Sequence, residues 1–167
     1  MKKILLLLFV TITLFAGCTV KYSLSGASIP PDAKTFSVAY FPNNAPMVAP
    51  ILSATLTDEL TQRFATRTSL TQVEEGGDFA FEGEITRYTS TTQSVSGDDY
   101  ALLNRLTIEV KVNFTNAIDP DASFNQTFKA YADYDSTQLL TDIQTALDAE
   151  IVEQLVQDIY MAAASNW

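Results

Sequence analysis

Twenty Asp and Glu side chains, ten Lys and Arg, one cysteine and no histidine bound the chemistry open to this chain of 167 residues. Paired carboxylates stand at Glu74-Glu75, Glu82/Glu84 and Asp98-Asp99. Such pairs perform general acid–base work when their surroundings push the two pKa values apart. These pairs fall in turns or on the polar side of a strand, where carboxylates are ordinarily solvated surface. Asp119-Pro120-Asp121 and Asp133-Tyr134-Asp135 offer oxygens to Ca²⁺, but neither has the glycine and downstream glutamate of an EF-hand loop, and no metal site is expected. The absence of histidine rules out every triad that uses it as the base. A single cysteine rules out an internal disulfide and a Cys/His zinc site. No glycine-rich phosphate loop occurs, and no base stands out to activate the many serines and threonines. Neither an enzymatic activity nor a cofactor is therefore expected. A net charge of −10 also argues against nucleic acid as a partner, since that needs a basic face to displace phosphate counterions.

The one cysteine has a telling position. Met1-Lys2-Lys3 is basic, Ile4 to Phe15 is apolar except for Thr11 and Thr13, and Ala16-Gly17 precede Cys18. A basic start, an apolar run of about a dozen residues and a small-residue end describe a secretory signal peptide, too short to span a bilayer comfortably. The end of this segment resembles the lipobox of bacterial lipoproteins, with Phe15 where leucine is usual. That resemblance implies cleavage before Cys18, a diacylglyceryl group on its sulfur and an acyl chain on the new amino terminus. The alternative is a plain secreted protein whose cysteine stays unmodified. The expected organisation is a removed signal peptide (1–17), a lipidated tether (18–34) containing Pro30-Pro31, and one domain (35–167). By analogy with enteric sorting, Thr19 after the cysteine favours the outer membrane. The first acid after Cys18 is Asp32, so there is no acidic cluster to direct the protein to the cell surface, and the periplasmic side is expected.

The elements that must position any site are legible from periodicity. Phe36 to Phe41 reads as a first strand, ended by Pro42-Asn43-Asn44. Val48, Leu52, Leu56, Leu60 and Phe64 recur every four residues, which predicts a helix with one apolar stripe. Pro50 is tolerable only near a first turn, so the expected start lies close to Pro46. Ser69–Val73 offers a short second strand, and Glu74-Glu75-Gly76-Gly77 a turn. Three longer strands follow over Asp78–Thr92, Leu103–Asn116 and Ser123–Tyr134. Alternation puts Phe79, Phe81 and Ile85 on one face of the first and Glu82, Glu84 and Tyr88 on the other. Leu106, Ile108, Val110, Val112 and Phe114 make an unbroken apolar face of the second. Gly97-Asp98-Asp99 closes the hairpin between them. Leu140, Ile143, Leu147, Ile151, Leu155 and Ile159 predict a closing helix, with Ser136 or Thr137 as its cap. The expected fold is α+β, a two-layer sandwich. A roughly four-stranded mixed sheet carries two amphipathic helices on one face, in the order β-α-β-β-β-α with a further short strand after the first helix.

Cys18, the following Tyr22-Ser23-Leu24-Ser25-Gly26, the strand Phe79-Ala80-Phe81-Glu82-Gly83-Glu84-Ile85 with Tyr88, and the closing helix together resemble the LptE family of lipopolysaccharide-assembly lipoproteins, particularly its Bacteroidetes-type members. The resemblance covers essentially the whole chain after Cys18. It implies a non-enzymatic plug in the lumen of an LptD-like outer-membrane β-barrel, helping to deliver lipopolysaccharide to the outer leaflet. Lipopolysaccharide as a direct ligand would call for cations facing its phosphates. Parity puts Arg105, Lys111 and Lys129 on the polar sheet face, with Arg87 joining them only if a bulge re-aims it. These four either form a basic spot or pair across strands with Glu82, Glu84 and Glu109. Thr89 to Ser96 carries no charge in a strongly acidic chain. It is either a flexible loop or a hairpin arm that meets the barrel through Thr91 and Gln93. A different class stays open, a periplasmic adaptor lipoprotein that tethers or activates another envelope complex.

Overall fold

The computed structural model describes residues 29–47, 49–94 and 102–164. The expected signal peptide, Cys18, most of the expected tether, Val48 and the expected turn at Gly97-Asp98-Asp99 lie outside the described residues. Five strands and two long helices follow in order: β1 (Thr35–Val38), α1 (Leu52–Arg67), β2 (Thr71–Gln72), β3 (Phe79–Ser94), β4 (Leu102–Asn116), β5 (Phe124–Asp135) and α2 (Leu140–Ala164), with a 3₁₀ turn at Pro120–Ala122. The sheet order is β2-β1-β3-β4-β5. β1 runs parallel to both β2 and β3, whereas β3, β4 and β5 form an antiparallel meander. A parallel pair needs a crossover, and α1 supplies it between β1 and β2. Both helices pack against the sheet and against each other. The two-layer α+β expectation holds, with five strands instead of roughly four.

The apolar stripes close onto one core. Leu52, Leu56, Leu60 and Phe64 of α1 are fully buried, as are Ile151, Leu155 and Ile159 of α2 and Leu106, Ile108, Val110 and Val112 of β4. The helix–sheet junction is aromatic. The Phe64 ring is tilted against Phe81 and Tyr160, with centroids 4.6 and 5.2 Å away, and Phe81 stacks on Phe114 at a centroid distance of 4.8 Å. Such pairs add about 0.5–1.5 kcal/mol each beyond the area they bury. At the base, Asp78 Oδ2 accepts the backbone N–H groups of Lys34 (2.8 Å) and Thr35 (2.9 Å) and the Thr35 hydroxyl (2.9 Å). The incoming chain is thereby pinned to the start of β3.

Several boundaries depart from the periodic pattern. α1 begins at Leu52, not near Pro46, with Ile51 as an N-cap that makes no side-chain bond. Proline disfavours α geometry in the residue before it, so Pro50 keeps Ala49 out of the helix. Ser136 and Thr137 do not cap α2. The Asp135 carboxylate instead accepts the Thr137 N–H (2.8 Å) and hydroxyl (2.6 Å), and this turn delays the helix to Leu140. β1 ends at Val38, yet the chain keeps bonding to β3. Ile85 N–H reaches Pro42 C=O and Asn44 N–H reaches Ile85 C=O, both at 2.9 Å. Between these contacts Phe41 is fully buried over Gly83, where an added Cβ would lie 2.5 Å from the ring.

The most consequential departure is a register shift between Ile85 and Arg87. One extra residue reverses the facing of everything beyond it. Tyr88, expected beside Glu82 and Glu84, is fully buried against the helices. Arg87 turns out to the open face opposite Glu109.

Candidate functional site

The helices cover one face of the sheet and leave the other open, and the meander lays the polar side chains of that open face in rows. Register aligns Thr91, Arg105 and Asp133; then Thr89, Thr107 and Tyr131; then Arg87, Glu109 and Lys129; and Glu84, Lys111 and Thr127. All four candidate cations therefore share one face. Three of them are engaged. Arg87 and Lys129 both reach Glu109 Oε1, at 3.1 and 3.7 Å. Arg105 grips Asp133 with two bonds, Nε to Oδ1 at 2.7 Å and a terminal nitrogen to Oδ2 at 2.8 Å, and its guanidinium lies 3.8 Å from the Tyr131 ring centroid. The guanidinium holds the Asp133 carboxyl below the usual carboxylate range.

Lys111 differs. Among the described residues no carboxylate lies within 4.0 Å of its ammonium. It borders an open groove of about 350 Å³, shared with Pro42, Glu82, Glu84, Asn113 and Asn125. Glu84, its cross-strand neighbour, is bonded to Asn44 at 2.6 Å instead. The expectation of cross-strand pairing thus holds for Arg87 and Lys129 through Glu109, while Arg105 takes Asp133, an acid that parity alone did not single out. Among the described residues no group of three or more Cys, Asp or Glu side chains is placed to hold a metal ion.

Beyond the bulge the uncharged segment is strand. Each residue from Thr89 to Ser94 pairs with one from Thr107 to Leu102, and β5 backs Leu103 to Thr107 on the far side, so up to Ser94 the segment is part of the sheet, not a loop. Gln93 Nε2 donates to Thr91 Oγ1 at 3.1 Å, and both face away from the helices. On the other side Thr92 donates to Asn104 at 3.0 Å, and the Ser90 and Tyr134 hydroxyls lie 2.6 Å apart.

One polar group escaped the sequence reading. Asp148 of α2 is 2% exposed and accepts the Tyr88 hydroxyl on Oδ1 at 3.0 Å, while its Oδ2 has no partner. The available signal was its spacing: Asp148 stands four residues before Val152 and three before Ile151, inside the apolar stripe. Burial pushes the carboxyl up from its ordinary value, against a smaller opposing pull from the Tyr88 bond. Burial and the adjacent carboxyl push the Tyr88 hydroxyl up as well. For a carboxyl raised by folding, its full contribution to stability is present below the unfolded pKa of about 3.9 and is lost as pH climbs through the folded value. Asn cannot ionise. Asp148→Asn should therefore gain stability relative to the wild type between about pH 4, near the unfolded value, and about pH 7. Melting curves at the two pH values check this, and a difference that does not change with pH would exclude a buried, uncompensated carboxyl.

A helix-covered sheet with an open, ladder-like polar face narrows the fold, and comparison narrows it further. The model of the LptE family, described as lipopolysaccharide-assembly, matches residues 33–163. The chain belongs to the LptE family. The match takes in every strand and helix of the domain except the last residue of α2. No curated protein matches the chain. Among solved structures, the hypothetical protein CT253 from Chlamydia trachomatis aligns with a TM-score of 0.53 at 10% identity, over 80% of this chain and 99% of that one. Protein XCC0632 from Xanthomonas campestris aligns with a TM-score of 0.53 at 16% identity, over 80% of this chain and 88% of that one. These two share the fold. A minor lipoprotein from Acinetobacter baumannii is 18% identical over 78% of this chain and 94% of that one, with a TM-score of 0.44. LptE membership makes this a lipopolysaccharide-assembly lipoprotein of a family without enzymatic activity or cofactor. No helix among the described residues is long and apolar enough to cross a membrane.

Proposed function

We propose that this LptE-family protein is held on the periplasmic side of the outer membrane by acyl chains on Cys18. There it seats in the lumen of an LptD-like β-barrel and assists the insertion of lipopolysaccharide into the outer leaflet. The family match over residues 33–163 carries the proposal. The uncharged hairpin arm supports it, since the inward-facing residues of a transmembrane barrel are hydrophilic. Co-purification from detergent-solubilised outer membranes tests it. A stoichiometric barrel protein of LptD size is the expected result. Its absence, with some other envelope complex recovered instead, would replace the plug by the adaptor.

Direct contact with lipopolysaccharide is assigned to the four cations of the open face, and Lys111 is the most available of them. Arg87, Lys129 and Arg105 must first give up carboxylates that already hold them. A lysine near an anionic surface contributes about 1 kcal/mol, so Lys111→Ala should weaken binding of purified lipopolysaccharide about fivefold at low salt. Screening at about 0.5 M salt should erase most of that difference. Alanine at Arg87 or Lys129 should do less. An affinity unchanged by Lys111→Ala, with an unchanged melting temperature, would leave Arg87, Arg105 and Lys129 to cross-strand pairing and Lys111 to solvent.

A further inference from the structure

We propose that the outer edge of β3, from Thr86 to Ser94, takes up an extended strand of the barrel partner through main-chain hydrogen bonds. This rests on the plug reading and specifies its mode of contact. β3 is covered along this edge only at its base. β1 pairs with Phe79, Ala80 and Phe81, and the chain at Pro42–Asn44 covers Ile85. From Thr86 to Ser94 no strand among the described residues lies on that side, because β1 has already turned away toward α1.

The direction of the unpaired groups follows from alternation. In a strand, the side to which a residue sends its N–H and C=O alternates together with the face of its side chain. Ile85, whose side chain is in the core, sends both groups to this edge, to Pro42 and Asn44. Beyond the bulge the residues on the helix side are Tyr88, Ser90 and Thr92. These three therefore present their N–H and C=O to the open edge, while Thr89, Thr91 and Gln93 bond inward to β4.

An open edge is ordinarily protected by charge, proline, a bulge or shortness. The other edges meet that requirement. β2 spans only Thr71–Gln72, and β5 carries Lys129, Asp133 and Asp135. The stretch opens on the bulge and Arg87, and beyond them Tyr88 to Ser94 has no charge, no proline and no further bulge. A second copy of the chain is the wrong occupant. Each copy carries a net charge of −10, and that charge opposes bringing two acidic domains edge to edge. The wall strands of a closed barrel are already bonded on both sides, so the occupant is an extended segment of the partner outside its wall, whose uncharged polar side chains meet the arm without repulsion or buried charge.

Thr92→Pro removes one outward N–H and leaves the β3–β4 ladder intact, a position where sheets tolerate proline. The full-length variant should recover about tenfold less barrel than wild type, or lower still, with the melting temperature of the protein nearly unchanged. Hydrogen exchange on the wild-type complex gives a second readout that needs no variant. A peptide covering residues 86–94 should exchange faster in the free protein and become protected in the complex. If wild type recovers the barrel and Thr92→Pro recovers it equally, or the peptide exchanges alike free and bound, edge pairing is wrong while the plug stands. If wild type recovers no barrel, the plug reading and the edge pairing both fall. A concentration-dependent dimer abolished by Thr92→Pro would overturn the proposal in favour of self-pairing.

Discussion

Cys18→Ser should abolish lipid attachment at residue 18 outright. The diacylglyceryl group is carried on sulfur, and a serine hydroxyl is a far weaker nucleophile than a thiolate at neutral pH. Without that lipid the signal peptidase specific for lipoproteins has no substrate, so the precursor should persist with residues 1–17 attached. Each buried CH₂ is worth about 0.8 kcal/mol, and two signals together make a stable anchor. No described helix could substitute, since none is long and apolar enough to cross a bilayer. Mass spectrometry of the mature amino terminus decides the matter. The expected peptide begins at a lipid-modified Cys18, and a mature terminus at any other residue would remove the anchor from the proposed function.

Where the proposed anchor joins the domain constrains how the arm is used. The chain enters β1 beside Asp78, at the start of β3. β3 then runs 16 residues to Ser94, roughly 50 Å at about 3.3 Å per residue. Entry point and arm therefore lie at opposite ends of the sheet. A protein tethered at its base presents this end of the sheet, the arm together with the nearby start of α2, to whatever lies farthest from the tether.

The parts of this architecture that were legible in the sequence are those fixed by burial along a single element. Leu52, Leu56, Leu60 and Phe64 announce α1 because a helix with one buried face has no other spacing available. Leu106 to Phe114 announce β4 for the same reason at period two. What stayed hidden depends on a neighbour. The bulge at Thr86 is set by the register against Glu109, and nothing in Ile85-Thr86-Arg87 alone requires it. Hence the parity of the strand before the bulge misplaced Tyr88, and with it the Tyr88–Asp148 pair. Parity also placed Arg105, Lys111 and Lys129 on one face, but it could not say which carboxylate each would meet. That Arg105 is held by Asp133 and Tyr131, and that Lys111 is left beside a groove, follow only from the β4–β5 register.

The same register gives the double change Thr91→Lys and Gln93→Lys its force. Both side chains stand on the open face of the arm, Thr91 opposite Arg105 and Gln93 opposite Leu103. Neither is in the core, so the isolated domain should lose little. The full β-propensity scale spans about 1 kcal/mol, and the one lost contact is the bond between the two side chains themselves. The contact surface changes far more. Two ammonium groups beside Arg105 gather three cations where wild type has one, and Arg105 is already matched by Asp133. Against a lumen built for an uncharged arm, burying unpaired ammonium costs several kcal/mol unless it finds a carboxylate. Recovery with the barrel should fall by about tenfold or more. Thr92→Pro and this double lysine probe different surfaces of one arm, its edge and its outer face. Full recovery of the double-lysine variant alone would confine the contact to the edge, and full recovery of both variants would remove the arm from the interface.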